Sequence, residues 1–163
     1  MKEYLLELAR YNVWANAKLS AWLSQISVEQ WKREFGGSFK SLEATALHIV
    51  SAEKIWFERL EGKPQPFLSL TFQGDRDEVL AIWKSASANL ERYLVDSSEE
   101  SLREKFTYRN LKGNEFTDER SKVLAHVFNH STYHRGQLVN YLREVGFTAI
   151  ESTDLINFYR LNE

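Results

Sequence analysis

No cysteine occurs among the 163 residues. That excludes disulfides and every zinc site built on thiolates, and any sulfur chemistry must be brought by a ligand. Glycine and proline are scarce, at 7 and 2. They fall mostly in clusters, so the stretches between them are free to be helical. No charge of one sign dominates: 21 basic and 23 acidic residues leave a net −2. A cationic face for nucleic acid or anionic lipid is not expected. No apolar run reaches bilayer-spanning length, and "MKEYLLELARYNVWANAK" mixes charges into its apolar residues, unlike a signal peptide. The expectation is a cytoplasmic protein. Hydrophobic residues at 43% and aromatics at 13% argue against disorder. The length suits one domain, 1–163, around one sizeable core.

Helical periodicity fills the gaps between the clusters. From Glu3 to Leu23, apolar residues recur at Leu6, Ala9, Val13, Ala17 and Ala21, the spacing of a core-facing helix. In "SVEQW", Ser27 and Gln30 stand as a capping box and predict a short helix that ends before Gly36-Gly37. A second long helix starts near Ser38 or Ser41 and carries Leu42, Thr45, Ile49, Ala52, Trp56 and Leu60 on one face. Both prolines follow, and Glu61 to Gly74 reads as a long loop.

A third long helix spans about Arg76 to Val95, with Val79, Ile82, Trp83, Ala86, Leu90 and Tyr93 inward; Asp96-Ser97-Ser98 breaks it. β-formers then flank "RNLKGN", predicting a small hairpin. A fourth long helix starts near Thr117 or Asp118 and ends at Gly146, and a short one covers Thr153 to Leu161. Four long helices without strand–helix alternation predict an all-α four-helix bundle, with a hairpin before the fourth helix and a short C-terminal helix. The connections are not all short, so simple up-down-up-down order does not follow.

Histidine is also rare, yet three of the four lie in "HVFNHSTYHRGQ" at intervals of four: His126, His130 and His134. Four histidines placed at random in this length give about 0.1 such pair, and two are present. On a helix, histidines four apart share a face and can converge on one ion. The alternative is a helix with hydrogen-bonded histidines. A third ligand must come from elsewhere, and the remaining histidine is His48, in an apolar run between Leu47 and Ile49. Buried there, its ring nitrogens need partners. Other templates fail. "HSTYH" has Ser131 where a zinc metalloprotease needs its glutamate, no histidine has Glu three residues before it as a ferritin-like di-iron site requires, and no serine-hydrolase elbow, phosphate loop or dinucleotide fingerprint occurs.

These segments resemble the DinB/YfiT-like superfamily of metal-dependent four-helix-bundle proteins over nearly the whole chain. "YNVWANAKL" is similar to its first helix, "GGSFKSLEATALHIVSAEKIWFERLEG" to its second, and "VLAHVFNHSTYHRGQLVNYLREVG" to its fourth, with the diagnostic His-x-x-x-His-Arg-Gly-Gln. Spacing alone leaves the His126–His130 and His130–His134 pairs equivalent. The resemblance implies ligation by His48, His130 and His134, with His126 one turn away, either a pocket residue or an ordinary hydrogen-bonded one. It also implies that dimers are common. Characterised members include transferases and isomerases that use bacillithiol or mycothiol.

Three imidazoles would leave an ion with an open position, as catalytic sites do. Imidazole suits zinc or nickel among the transition metals. Such an ion activates a bound water or holds a ligand's thiol as thiolate. The expectation is therefore a metal-dependent enzyme of small molecules, a thiol S-transferase or alternatively a hydrolase. A non-catalytic metal-binding stress-response module is the contrasting reading. Gln137, seven residues after His130, and Tyr133, beside His134, are candidates to meet substrate; both have structural readings as well. Trp14 and Trp56 are candidate cavity walls or plain core aromatics. Arg135 is open to pairing with an acidic group such as Glu53, to binding an anionic ligand, or to surface solvation.

Overall fold

A computed structural model describes residues 1–37, 39–63 and 65–161. The element order is α1 (Lys2–Leu23), α2 (Val28–Lys32), α3 (Leu42–Leu60), α4 (Leu68–Thr71), α5 (Arg76–Asp96), α6 (Glu99–Arg103), β1 (Lys105–Arg109), β2 (Glu115–Glu119), α7 (Arg120–Glu144) and α8 (Leu155–Leu161). The four long helices α1, α3, α5 and α7 make the bundle. α1 packs on α5 and α7, and α3 packs on the same two. Chain-consecutive α1 and α3 therefore occupy opposite corners, and the topology is not up-down-up-down.

Local chemistry explains most of the boundaries. Ser27 and Gln30 cap α2 reciprocally, and Asp75 and Glu78 do the same for α5. Ser41 caps α3, its Oγ accepting from the Ala44 amide at 3.0 Å. Each such cap is worth about 1 kcal/mol. The other proposed start, Ser38, lies outside the described residues. At the end of α7, Gly146 has φ +85°, its amide donates to the Arg143 carbonyl and that of Phe147 to Leu142. That is the left-handed stop that glycine permits.

The fourth long helix starts later than expected. Thr117 and Asp118 are strand residues, facing Thr107 and Phe106 across the hairpin, and Asp118 accepts the Tyr108 hydroxyl at 2.8 Å. Two one-turn helices were not expected: α4 lies inside the segment from Glu61 to Gly74 read as a loop, and α6 follows Ser98, where the sequence reading assigns no element. The last helix begins at Leu155, not Thr153.

The core face of α1 is also corrected. Ala17 and Ala21 are exposed, and Leu5, Ala9, Asn12, Ala15, Asn16, Leu19, Trp22 and Leu23 are buried. Two asparagines on the inward face broke the apolar pattern, and the alanines beside them mimicked one. On α3 and α5 the expected faces mostly hold: Leu42, Thr45, Ile49, Ala52 and Leu60, then Val79, Trp83, Ala86 and Leu90, are buried, while Trp56, Ile82 and Tyr93 are half-buried. No helix among the described residues is long and apolar enough to cross a membrane.

Candidate metal centre

The site lies where α3 meets α7. On α7, His130 and His134 sit one turn apart; on α3, His48 faces them. Ring centroids are 4.8 Å apart for His48–His130, 4.5 Å for His48–His134 and 4.4 Å for His130–His134. One ring nitrogen from each lies within 4.8 Å of the others. His48 Nε2 and His130 Nε2 are 3.0 Å apart. Two ligands at about 2.0–2.1 Å from one tetrahedral ion would stand about 3.3 Å apart, so this edge is already close to the required length. A neutral N–H···N bond would satisfy the same contact. What favours an ion is the third nitrogen, because one shared proton cannot join three rings.

Protonation suits ligation. Burial, with His134 adding repulsion, pushes His48 down to about 4. Burial again leads for His130, with His134, His48 and His126 adding, and lowers it to about 3. Both rings are neutral at pH 7, the form that binds metal. Gln137 fixes the third. Its Oε1 accepts from His134 Nδ1 at 2.7 Å, which leaves Nε2 as the bare nitrogen. His130 Nδ1 is buried with no protein partner. The donor set, three imidazoles with one tautomer held from behind, fits a borderline cation such as zinc or nickel.

One wall of the site comes from outside the helices. Phe39 stacks on His48 with centroids 4.0 Å apart and meets His134 edge-on at 5.3 Å. The Tyr141 hydroxyl holds this segment, reaching the carbonyls of Gly36 at 3.0 Å and Phe39 at 2.9 Å. A loop phenylalanine gives no periodic signal, and the sequence reading missed both residues.

The remaining candidates divide. His126 is exposed and outside the cluster, 5.8 Å from the His130 ring and 5.8 Å from Trp56. Trp56 also packs on Tyr108 at 4.8 Å, one ring removed from the cluster. Trp14 is elsewhere, against Tyr11 and Phe158, so it does not wall this site. Tyr133 is 66% exposed and touches the His134 ring edge, with centroids 4.9 Å apart. A hollow of about 840 Å³ between α1, α7 and the segment before α8 is lined by none of the three histidines.

Of the three readings open for Arg135, the structure favours the one that involves Glu53. It is 2% exposed, not a solvated charge. Its Nη1 donates to Oδ1 of both Asn12 and Asn16, and its Nη2 to Thr132 Oγ1 at 2.7 Å. The two asparagine amides turn to Glu53, which is 0% exposed, each donating to Oε1 at 2.9 Å. Ser131 donates to Oε1 and Ser87 to Oε2, both at 2.8 Å. Arg135 and Glu53 are thus coupled through two amides instead of touching. Burial pulls the guanidinium below its usual range, while Tyr11 and Glu53 push back.

A four-helix bundle with three histidines converging from two of its helices is a candidate metal-centre bundle. The chain belongs to the DinB family, whose sequence profile matches residues 1–160. It is 28% identical over 155 residues to protein DinB of Bacillus subtilis (strain 168), covering 91% of this chain and 90% of that one. Among solved structures it resembles YfiT of Bacillus subtilis, with TM-score 0.70, 14% identity and 91% of each chain covered. A DinB-like protein of the same species, YjoA, gives TM-score 0.68 and 18% identity over 90% of this chain and 97% of that one.

Proposed function

We propose that this chain binds a divalent transition metal, zinc or nickel, through His48, His130 and His134, and uses it as an enzyme acting on a small molecule. The observation that carries this reading is the convergence of three ring nitrogens on one point, two of them 3.0 Å apart. Three protein ligands leave a position for a reactant, whereas closed structural sites take four. When bound, the ion supplies Lewis acidity, which lowers the pKa of a water or a thiol that joins it.

The chain's own residues prepare the place. Gln137 keeps the His134 proton on Nδ1. Phe39 covers one side of His48 and limits water there. Tyr133, exposed beside His134, is a candidate to hand a proton to a leaving group. Two reactions fit these parts. Hydrolysis is favoured by the likeness to YfiT, described as a probable metal-dependent hydrolase with an unusual four-helix bundle topology. Thiol S-transfer is the second reading; the chain has no cysteine, so the thiol would be a low-molecular-weight co-substrate such as bacillithiol. A homodimer working in the cytoplasm completes the proposal, and light scattering at twice the chain mass would support its first half.

Metal analysis of protein purified without a histidine tag tests the central claim. About one equivalent of transition metal is expected, falling sharply in His130→Ala. Less than about a third of an equivalent, unchanged in that variant, would remove the claim. Faster coupling of an electrophilic bimane to bacillithiol with metal-loaded than with stripped protein would select thiol transfer. Equal rates would leave hydrolysis.

A further inference from the structure

The Glu53–Arg135 network stands beside the histidines, and its placement is not incidental. Two of its three α7 members, Ser131, Thr132 and Arg135, directly follow a candidate ligand in the chain: Ser131 after His130 and Arg135 after His134. Its α3 member, Glu53, lies five residues after His48. α1 supplies Asn12 and Asn16, and α5 supplies Ser87. All four long helices therefore meet at one carboxylate, including the diagonal pair α1 and α3. Apolar side chains tolerate sliding and small rotations of one helix on another; a buried network of directed hydrogen bonds does not. Advancing α7 by one residue shifts it about 1.5 Å and turns it about 100°. That would strip Glu53 of Ser131 and the asparagines of Arg135. The same movement would carry His130 and His134 away from His48.

We propose that Glu53, with Arg135 bridged to it by Asn12 and Asn16, is a positioning element for the three-histidine site. It locks the register and rotation of α7 against α3, so that the imidazoles are arranged before an ion arrives. This rests on the metal reading above. It adds that metal affinity is set by residues that contact no ligand ring.

Glu53→Gln tests it with little change of shape. The new amide oxygen takes the place of Oε1, and the amide nitrogen faces Ser87, which already has another acceptor in the Trp83 carbonyl at 3.0 Å. What disappears is the negative charge that balances Arg135. Co(II) serves as the probe, titrated into stripped protein and read by its visible d–d bands. The expected result is 10–100-fold weaker Co(II) binding with a changed band shape, in a protein whose far-UV dichroism is native. Leu94→Ala is the control, because Leu94 is fully buried in an apolar cluster with Leu5, Leu60, Leu90 and the first half of α7, and belongs to neither polar group. It should lower thermal stability and leave both affinity and band shape unchanged. Wild-type affinity and spectrum in Glu53→Gln, or an equal loss in Leu94→Ala, would overturn the proposal and leave the metal reading intact. No Co(II) spectrum in the wild type would overturn both. Should Glu53→Gln not fold, Ser131→Ala carries the same test. It removes one donor to Glu53 from α7, and three- to tenfold weaker binding is expected from the milder loss.

Discussion

Two polar clusters sit side by side between α3 and α7, and they are built on opposite terms. The Glu53 cluster is sealed: both charged groups are at most 2% exposed, and the carboxylate accepts four hydrogen bonds. The histidine cluster is left short: one contact joins two of its rings, and a buried nitrogen of His130 has no protein partner. Glu53 Oε1 alone takes three donors, and of the guanidinium only Arg135 Nε is left over; the three imidazoles share one hydrogen bond among themselves and make one more, to Gln137. The first cluster thus joins all four long helices through the protein's own groups, while the second brings three ring nitrogens together with one hydrogen bond to join them.

The contrast breaks most visibly if the sealed cluster is opened. Glu53→Ala leaves Arg135 charged, buried and without a counter-charge, and it adds a cavity. A loss of about 3–5 kcal/mol is expected, read as a lower urea midpoint in both stripped and metal-loaded protein. A loss under about 1 kcal/mol would mean that water enters and the cluster is not sealed.

Opening the other cluster should act on metal and spare the fold. His48→Ala removes the only ligand from α3, and at least 100-fold weaker Zn(II) binding is expected by competition with a chelating dye. Stripped protein should unfold at nearly the wild-type urea concentration, because His48 is only half-buried. Equal affinity would show that the histidines satisfy one another and hold no ion.

Why one cluster was legible in the sequence and the other was not follows from this same contrast. His130 and His134 repeat at helical spacing on one segment, and a local pattern reveals itself. His48 lies 82 residues from His130; it is reached as the one histidine left over to supply a third ligand, and the family resemblance chooses the set of three. The Glu53 network is spread over four helices, with no two members forming a recognisable motif. Asn12 and Asn16 interrupt the apolar stripe of α1, and the sequence reading places the inward face on Ala17 and Ala21 beside it. Arg135 read equally well as a surface charge, since nothing local separates a buried guanidinium from a solvated one. The bundle itself was legible because four long segments repeat the helical period. The one-turn helices α4 and α6 are too short to show any period.

A smaller effect should come from the residue that links the site to the helix behind it. Gln137→Ala frees the His134 tautomer that the 2.7 Å contact fixes. Affinity for Zn(II) should fall 10–100-fold, with no change in the thermal midpoint of stripped protein. An unchanged affinity would mean that His134 needs no support. Proton competition offers a subtler probe. His48 and His130 titrate near 4 and 3 when folded, against 6.5 for an ordinary histidine. Between about pH 3 and 6.5 the unfolded chain binds more protons than the folded one, so stability rises with pH across that window. Stripped wild type should therefore lose stability as pH falls below 6.5. His130→Gln should lose less, by urea titration at each pH. Parallel curves would show that burial does not depress His130.

The least effect is expected at His126, and it is the sharpest check on which pair carries the site. Sequence spacing treats His126–His130 and His130–His134 alike. The structure separates them. His126 is exposed, its ring is 5.8 Å from His130, and its other neighbour is Trp56, which lies away from His48. A ligand on that side would have to draw His130 away from the 3.0 Å contact with His48. His126→Ala should therefore change Zn(II) affinity by less than about threefold, because no ring that supports the ion is moved. A drop as large as that of His48→Ala would put the ion between His126 and His130. In that case His48 and His134 would be an ordinary hydrogen-bonded pair, and the open cluster would be one turn nearer the hairpin.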